Sequence, residues 1–168
     1  MQIETVDKGT MYAAYPDADV YKHYTKLTPY GIIPSHNGNG SIRFKSKACH
    51  DAFVLLSSTL DLISPDFYEI VIGGWYNQYS AIQRKASTGQ AVKEITANIL
   101  NCNEFKEFDV SWSLDGNIKV QRDSRVYIDW NDKSPLHVLG LGIMTIFGTN
   151  GTWILETYSK FWKAPSGF

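Results

Sequence analysis

The fold class predicted for this chain is all-β, an antiparallel β-sandwich. Short segments of period-two polarity recur from Ser41 onward. Turn residues separate them at intervals of about eight to twelve residues. Only the stretch 87–100 offers helical spacing, through Val92, Ile95 and Ile99, and Ile95, Ala97 and Ile99 also alternate as in a strand. A length of 168 residues with 43% apolar residues suits one domain with a real core.

The elements follow in chain order. Residues 1–36 read as extended segments and loops with one edge strand, because Tyr12, Tyr15, Tyr21, Tyr24 and Tyr30 are interspersed with Pro16, Pro29 and Pro34. The run from Ser35 to Gly40 is a loop, and the sandwich proper occupies 37–160. In 41–47, Ile42 and Phe44 oppose Arg43, Lys45 and Lys47. A short apolar run covers 52–58. Tyr68, Ile70 and Ile72 alternate with Phe67, Glu69 and Val71, and 79–84 is a further strand. Phe108, Val110, Trp112 and Leu114 share one face of 105–114, which makes Trp112 a core residue. Asp115-Gly116 then supports the positive φ of a tight hairpin turn into 117–121. Strands over 126–130, 136–147 and 152–158 complete the series.

Sixteen basic residues against 17 acidic ones exclude a polybasic binder of nucleic acid or membrane surface. No apolar run reaches the length of a membrane span. The first residues carry neither a basic nor an apolar signal region, so the expected location is the cytoplasm, or secretion without a recognisable signal peptide. Cys49 and Cys102 are too few for a disulfide framework and read as free thiols, with a single bridge across the sandwich as the other arrangement. Two glycosylation sequons begin at Asn39 and Asn150, and they matter only if the chain is exported.

Several chemistries lack their residues. Leu139-Gly140-Leu141-Gly142 has no helix after it and reads as a strand relieved by glycine rather than a nucleotide-binding turn. His23, His36, His50 and His137 form no pair at metal-ligand spacing. Cys49 and His50 diverge as neighbours in a strand, and Asp17 with Asp19 is too little for calcium. No cofactor and no metal is therefore expected from the residues.

The stretch from Tyr68 to Arg84 is the distinctive one. Gly73 and Gly74 let the chain bend beside Trp75, and Asn77, Ser80 and Arg84 add hydrogen-bonding groups near that indole. An aromatic face with amide and guanidinium groups suits a sugar, whose C–H surface stacks while its hydroxyls bond. Trp130, followed by Asn131 and Asp132 at a strand end, suits either core or groove. Trp153 is expected to cover the end of the sandwich. Trp162 is expected either across the sheet or in an exposed patch. Candidate ligand-binding residues are thus Trp75, Asn77, Arg84, Trp130 and Asp132.

These motifs carry a resemblance. Ile42-Arg43-Phe44-Lys45-Ser46-Lys47-Ala48, Asp51-Ala52-Phe53-Val54-Leu55-Leu56-Ser57, Tyr68-Glu69-Ile70-Val71-Ile72-Gly73-Gly74, Phe108-Asp109-Val110-Ser111-Trp112, Ile128-Asp129-Trp130-Asn131-Asp132 and Gly151-Thr152-Trp153 stand in the order of the farnesoic acid O-methyltransferase-like domain of arthropods and other invertebrates. The chain resembles that family over roughly residues 41–158. It departs from the family at Gln121, where a glycine is usual, so the second hairpin is expected to bend differently. The family name implies methyl transfer from S-adenosylmethionine to farnesoic acid. The same motifs are similar to jelly-roll sandwiches that bind carbohydrate, such as galectins.

Three functions are thereby expected in turn. The first is a non-enzymatic recognition module for a glycan or glycoprotein. The second is the methyltransferase of the family name. The third is a structural module whose edge strands or aromatic patches build homo-oligomers.

Overall fold

The computed structural model describes residues 1–9, 20–85 and 91–156. Twelve strands are named among them: β1 (Gln2–Thr5), β2 (Thr25–Lys26), β3 (Gly40–Ala48), β4 (Ala52–Ser57), β5 (Phe67–Gly73), β6 (Tyr79–Lys85), β7 (Ala91–Ile95), β8 (Lys106–Trp112), β9 (Asn117–Arg122), β10 (Arg125–Asn131), β11 (Gly140–Thr145) and β12 (Gly151–Leu155). They form two six-stranded sheets, ordered β1-β12-β3-β8-β9-β10 and β2-β11-β4-β5-β6-β7. Every pairing is antiparallel. The all-β sandwich is as the alternation predicts.

The main core lies between the sheets. Phe44, Phe108, Val110, Trp112, Val120 and Trp153 of the first sheet face Val54, Leu56, Ile70, Ile72, Ile82 and Ile143 of the second. Phe44 sits at the centre, 5.5 Å from the Phe108 ring and 5.1 Å from Trp153. Trp153 does not cover an end of the sandwich. Its ring is wholly buried in the core, and its indole N–H donates to Thr5 Oγ1 at 2.8 Å. Trp162 and Asp17 with Asp19 lie outside the described residues.

The outer faces differ. On the first sheet, cross-strand ion pairs cover the surface, with Arg43 on Asp109 at 3.3 Å and Lys119 on Asp129 at 3.5 Å. Exposed pairs of this kind add little stability and mark a solvated face. On the second sheet, Phe53, Leu55, Phe67, Val71, Ala81 and Met144 make a second apolar cluster under Tyr24 and Leu62. That explains why β4 and β5 are buried at every position. An expected half-buried alternation in β5 is instead a strand covered on both sides.

Of the ambiguous stretch 87–100, residues 87–90 lie outside the described ones and Ala91–Ile95 form an edge strand. Within 87–100, β7 pairs with β6 in the register Ile82↔Val92, which turns Val92 toward the core and Lys93 outward. Pairing to a formed sheet overrides a weak helical pattern. Ile95 is left exposed on the edge. Opposite Gln121 the β9–β10 register shifts between Val126 and Ile128, so the hairpin is irregular where the family glycine is replaced.

The expectation of free thiols is corrected. Cys49 and Cys102 form a disulfide with their Cα atoms 4.1 Å apart. Cys49 follows the last residue of β3, Cys102 precedes β8, and these neighbouring strands bring the two together. The bridge closes a separation of 53 residues. Its reduction, or the double change Cys49→Ser and Cys102→Ser, is expected to remove about 2–4 kcal/mol of unfolding free energy. Urea titration with far-UV circular dichroism measures this; an unchanged midpoint would count against a formed bridge.

Candidate functional site

The hairpin between β5 and β6 is built from an unusual run of backbone angles. Gly73, Trp75, Tyr76 and Asn77 have φ of 63°, 49°, 56° and 65°. Left-handed geometry costs an L-residue about 1–2 kcal/mol, so three such residues in succession need outside support. Asn77 supplies it. Its Oδ1 accepts the Leu100 N–H at 3.0 Å, and its Nδ2 donates to the Leu100 carbonyl at 2.9 Å. Its own carbonyl accepts the Asn98 N–H at 2.8 Å, and Gly73 O accepts the Asp51 N–H at 2.8 Å. A Cβ at Gly73 would lie 2.8 Å from the Leu100 side chain and 2.7 Å from Asn77 Oδ1, so glycine is required there. The turn holds Trp75 and Tyr76 68% and 74% exposed.

Beneath this turn the outer face of the second sheet opens into a cavity of about 620 Å³. Strand register sets its floor. Phe53, Val71 and Ala81 stand side by side in one row, and Leu55, Glu69 and Gln83 in the next. Lys93 stands opposite Ala81 on β7. Trp75, Tyr76, Tyr79, His50 and Asp51 also border it. Glu69 is fully buried and accepts the Tyr24 hydroxyl at 2.6 Å. His50 Nδ1 lies 2.7 Å from Asp51 Oδ2, and the His50 ring is 5.8 Å from that of Tyr76. Burial pushes the Asp51 carboxyl up, against the opposing pull of His50 and the Trp75 N–H. Burial likewise raises the Tyr79 hydroxyl, helped by the negative charges of Asp51 and Glu69. The arrangement offers stacking rings above and hydrogen-bonding groups below.

The five residues expected from the sequence separate into three places. Trp75 overhangs the cavity. Asn77 clamps the turn to Leu100. Arg84, Trp130 and Asp132 meet on the opposite, inner side of β5 and β6. There Arg84 grips Asp66 through two bonds of 2.8 and 3.0 Å and also donates to Asp132 and to the Ser134 carbonyl. Tyr68 donates to Asp132 at 2.7 Å and accepts the Leu136 N–H, while Trp130 meets the Tyr68 ring edge-on at 6.1 Å. Arg84 is 5% exposed. Burial would raise the Asp132 carboxyl, yet bonds from the Ser134 N–H, Tyr68 and Arg84 hold it below its ordinary value. Burial and the bond to Asp132 push the Tyr68 hydroxyl well above its ordinary range. The network ties the second sheet to the connection between β10 and β11.

His50, Asp51, Glu69, Tyr79, Gln83 and Lys93 were not read from the sequence as a site. One signal could have found them: Glu69 is a carboxylate inside the apolar run of β5, and Tyr79, Ala81 and Gln83 share its face by period two.

The residues do not fit a cradle for S-adenosylmethionine at the glycine-rich motif. Gly140 and Gly142 lie within β11, and a Cβ at Gly140 would meet the Thr59 carbonyl at 2.2 Å. At Gly142 it would meet Leu62 at 2.9 Å and Tyr24 at 3.1 Å. The chain's own segments fill the space the glycines leave.

The family model described as farnesoic acid O-methyl transferase matches residues 25–159. No curated protein matches the chain. Among solved structures it is similar to the carbohydrate-binding module CBM66 from Bacillus subtilis, at 14% identity and TM-score 0.46, covering 71% of this chain and 72% of that one. It is similar to sheep galectin-11, at 11% identity and TM-score 0.49, covering 75% and 92% respectively. It is also similar to the Caenorhabditis elegans galectin LEC-6, at 15% identity and TM-score 0.47, covering 75% and 89%.

Asp132→Asn leaves the buried Arg84 with one carboxylate fewer. Because Asp66 still pairs with Arg84, unfolding free energy is expected to fall by about 1.5–3 kcal/mol in urea titration, the loss of a charge-assisted bond rather than of the whole pair. The pH dependence has a defined sign. The folded Asp132 carboxyl titrates below its ordinary 3.8, so its stabilisation is full above that value and is lost as pH falls through the folded one. The acid limb of a stability-against-pH curve should flatten in the variant.

Proposed function

The chain belongs to the farnesoic acid O-methyl transferase family, and from that premise we propose that it acts as a non-enzymatic recognition module that binds carbohydrate in the outer-face cavity. One observation carries this reading. A strained, doubly clamped turn holds an indole 68% exposed above a cavity with a polar floor. Strain of this kind persists where surrounding structure enforces it, and such positions concentrate at ligand sites.

In this reading the Trp75 ring stacks on a sugar C–H face, and Tyr76 and Tyr79 flank it. Gln83 and His50 exchange hydrogen bonds with hydroxyls. Glu69, fixed by Tyr24, orients one of them. Asn77 positions the turn, and Arg84, Trp130 and Asp132 brace the sheet from behind. Ligand contact is thus assigned to Trp75 alone among the five residues expected from the sequence.

The family description favours a second reading, methyl transfer to farnesoic acid. The two separate cleanly. Calorimetry with S-adenosylmethionine at millimolar concentration should give no binding heat; a saturable heat would favour the methyltransferase. A glycan array should give hits, and Trp75→Ala should weaken them by at least about tenfold, the loss of one well-placed aromatic contact. Its melting temperature should stay near that of the parent, because the side chain is exposed. An array without hits at high protein concentration contradicts the proposal.

A further inference from the structure

We propose that this chain is exported to an oxidising compartment and carries N-linked glycans on Asn39 and Asn150. The inference goes beyond the recognition reading and does not rest on it.

Two independent observations meet. The first is the bridge between Cys49 and Cys102. Both cysteines are exposed, which opens the bridge to thiols in the surrounding solution. In a cytosol poised by glutathione an exposed bridge is attacked and reduced, whereas the compartments of the export route keep it closed. Oligosaccharyl transfer to Asn-x-Ser/Thr belongs to the same route. The condition on which the two sequons depend is therefore met by a bond elsewhere in the molecule.

The second is how the fold holds the sequons Asn39-Gly40-Ser41 and Asn150-Gly151-Thr152. Each asparagine is exposed and stands immediately before a strand, β3 or β12. Each uses its amide in the same way. Asn39 Oδ1 accepts the Leu114 N–H at 2.8 Å, and Asn150 Oδ1 accepts the Asp7 N–H at 2.8 Å. Among the described residues neither Nδ2 donates a hydrogen bond. By contrast, Nδ2 of Asn77 donates to Leu100, and Nδ2 of Asn117 donates to Asp129 and Asn131. A glycosylated asparagine keeps its carbonyl oxygen and gives up one hydrogen of Nδ2. The bonds that the fold draws from Asn39 and Asn150 thus survive the modification, and the sugar is joined to the atom that holds nothing. Neither asparagine borders the outer-face cavity, so modification and ligand uptake use different atoms.

The donor is a lipid-linked oligosaccharide pyrophosphate. Nδ2 loses a proton and bonds the anomeric carbon of the sugar. The bond from that carbon to the pyrophosphate oxygen breaks, and the lipid pyrophosphate leaves with the electron pair. Transfer acts on the extended chain before folding, so the folded molecule has only to accommodate the product.

Mass spectrometry of the protein isolated from the cells that make it is the test, with and without peptide N-glycosidase. That enzyme releases the glycan and leaves Asp in place of each modified Asn. Both Asn39 and Asn150 should be converted, and the intact mass should fall by both glycans. The variants Ser41→Ala and Thr152→Val, made in the same cells, should each lose one glycan while keeping both asparagines and the bonds their carbonyls accept. Melting temperature checks that each variant folds, and the parent chain gives its result without any variant. Unmodified asparagines in a protein with its bridge intact overturn the glycan assignment. Unmodified asparagines together with free thiols overturn export as well. Modification at one site alone overturns the assignment at the other, and a glycan retained at its site by Ser41→Ala or Thr152→Val overturns the sequon chemistry there.

Discussion

The clamp of Asn77 on Leu100 is the constraint on which the rest depends. Without its two hydrogen bonds, three consecutive left-handed residues would relax toward ordinary geometry, and Trp75 and Tyr76 would lose their place over the cavity. The clamp has a second anchor. Leu100 stands two residues before Cys102, whose disulfide partner Cys49 immediately precedes His50 and Asp51 on the other side of the cavity. One covalent bridge thus sits beside both walls. Asn98 and Thr96 add backbone bonds to the same turn, so the connection after β7 acts as a rigid shelf for it.

The second sheet divides its labour by face. Inward, Arg84, Tyr68 and Asp132 spend their polar atoms on one another and hold the sheet against the β10–β11 connection. Outward, alternate residues of the same strands form the floor of the cavity. Period-two geometry makes the separation strict: Tyr68 and Arg84 are paired inward, and Glu69 and Gln83 are paired outward, one residue along. A register slip of one residue would exchange the brace for the cavity lining.

Much of the fold was legible because alternation is a local signal. Ile42 and Phe44, or Phe108, Val110 and Trp112, declare their buried face without knowledge of any other strand. What was not legible depends on distant partners. The strand at β7 exists because β6 receives it, and the bridge between Cys49 and Cys102 exists because β3 and β8 are neighbours; neither fact is written near the residues concerned. The site was legible only in part. Gly73, Gly74 and Trp75, singled out in the sequence, lie in the turn between β5 and β6 that borders the cavity. Arg84, Trp130 and Asp132 were drawn to the same surface by their chemistry alone, yet strand parity turns Arg84 to the other side. Glu69 was hidden by its apolar neighbours, and Lys93 by doubt over the strand that carries it.

The proposed ligand enters the outer face beneath the left-handed turn. Heteronuclear NMR during titration with an oligosaccharide that scores on the glycan array tests it most directly, because the five indole N–H groups report separately. The expected result is a shift of the Trp75 indole with the amides of Gln83 and Lys93, while the Trp130 indole and Arg84 stay still. Shifts centred on Trp130, Arg84 and Asp132, with Trp75 unmoved, would place recognition on the opposite side of the sheet and contradict it.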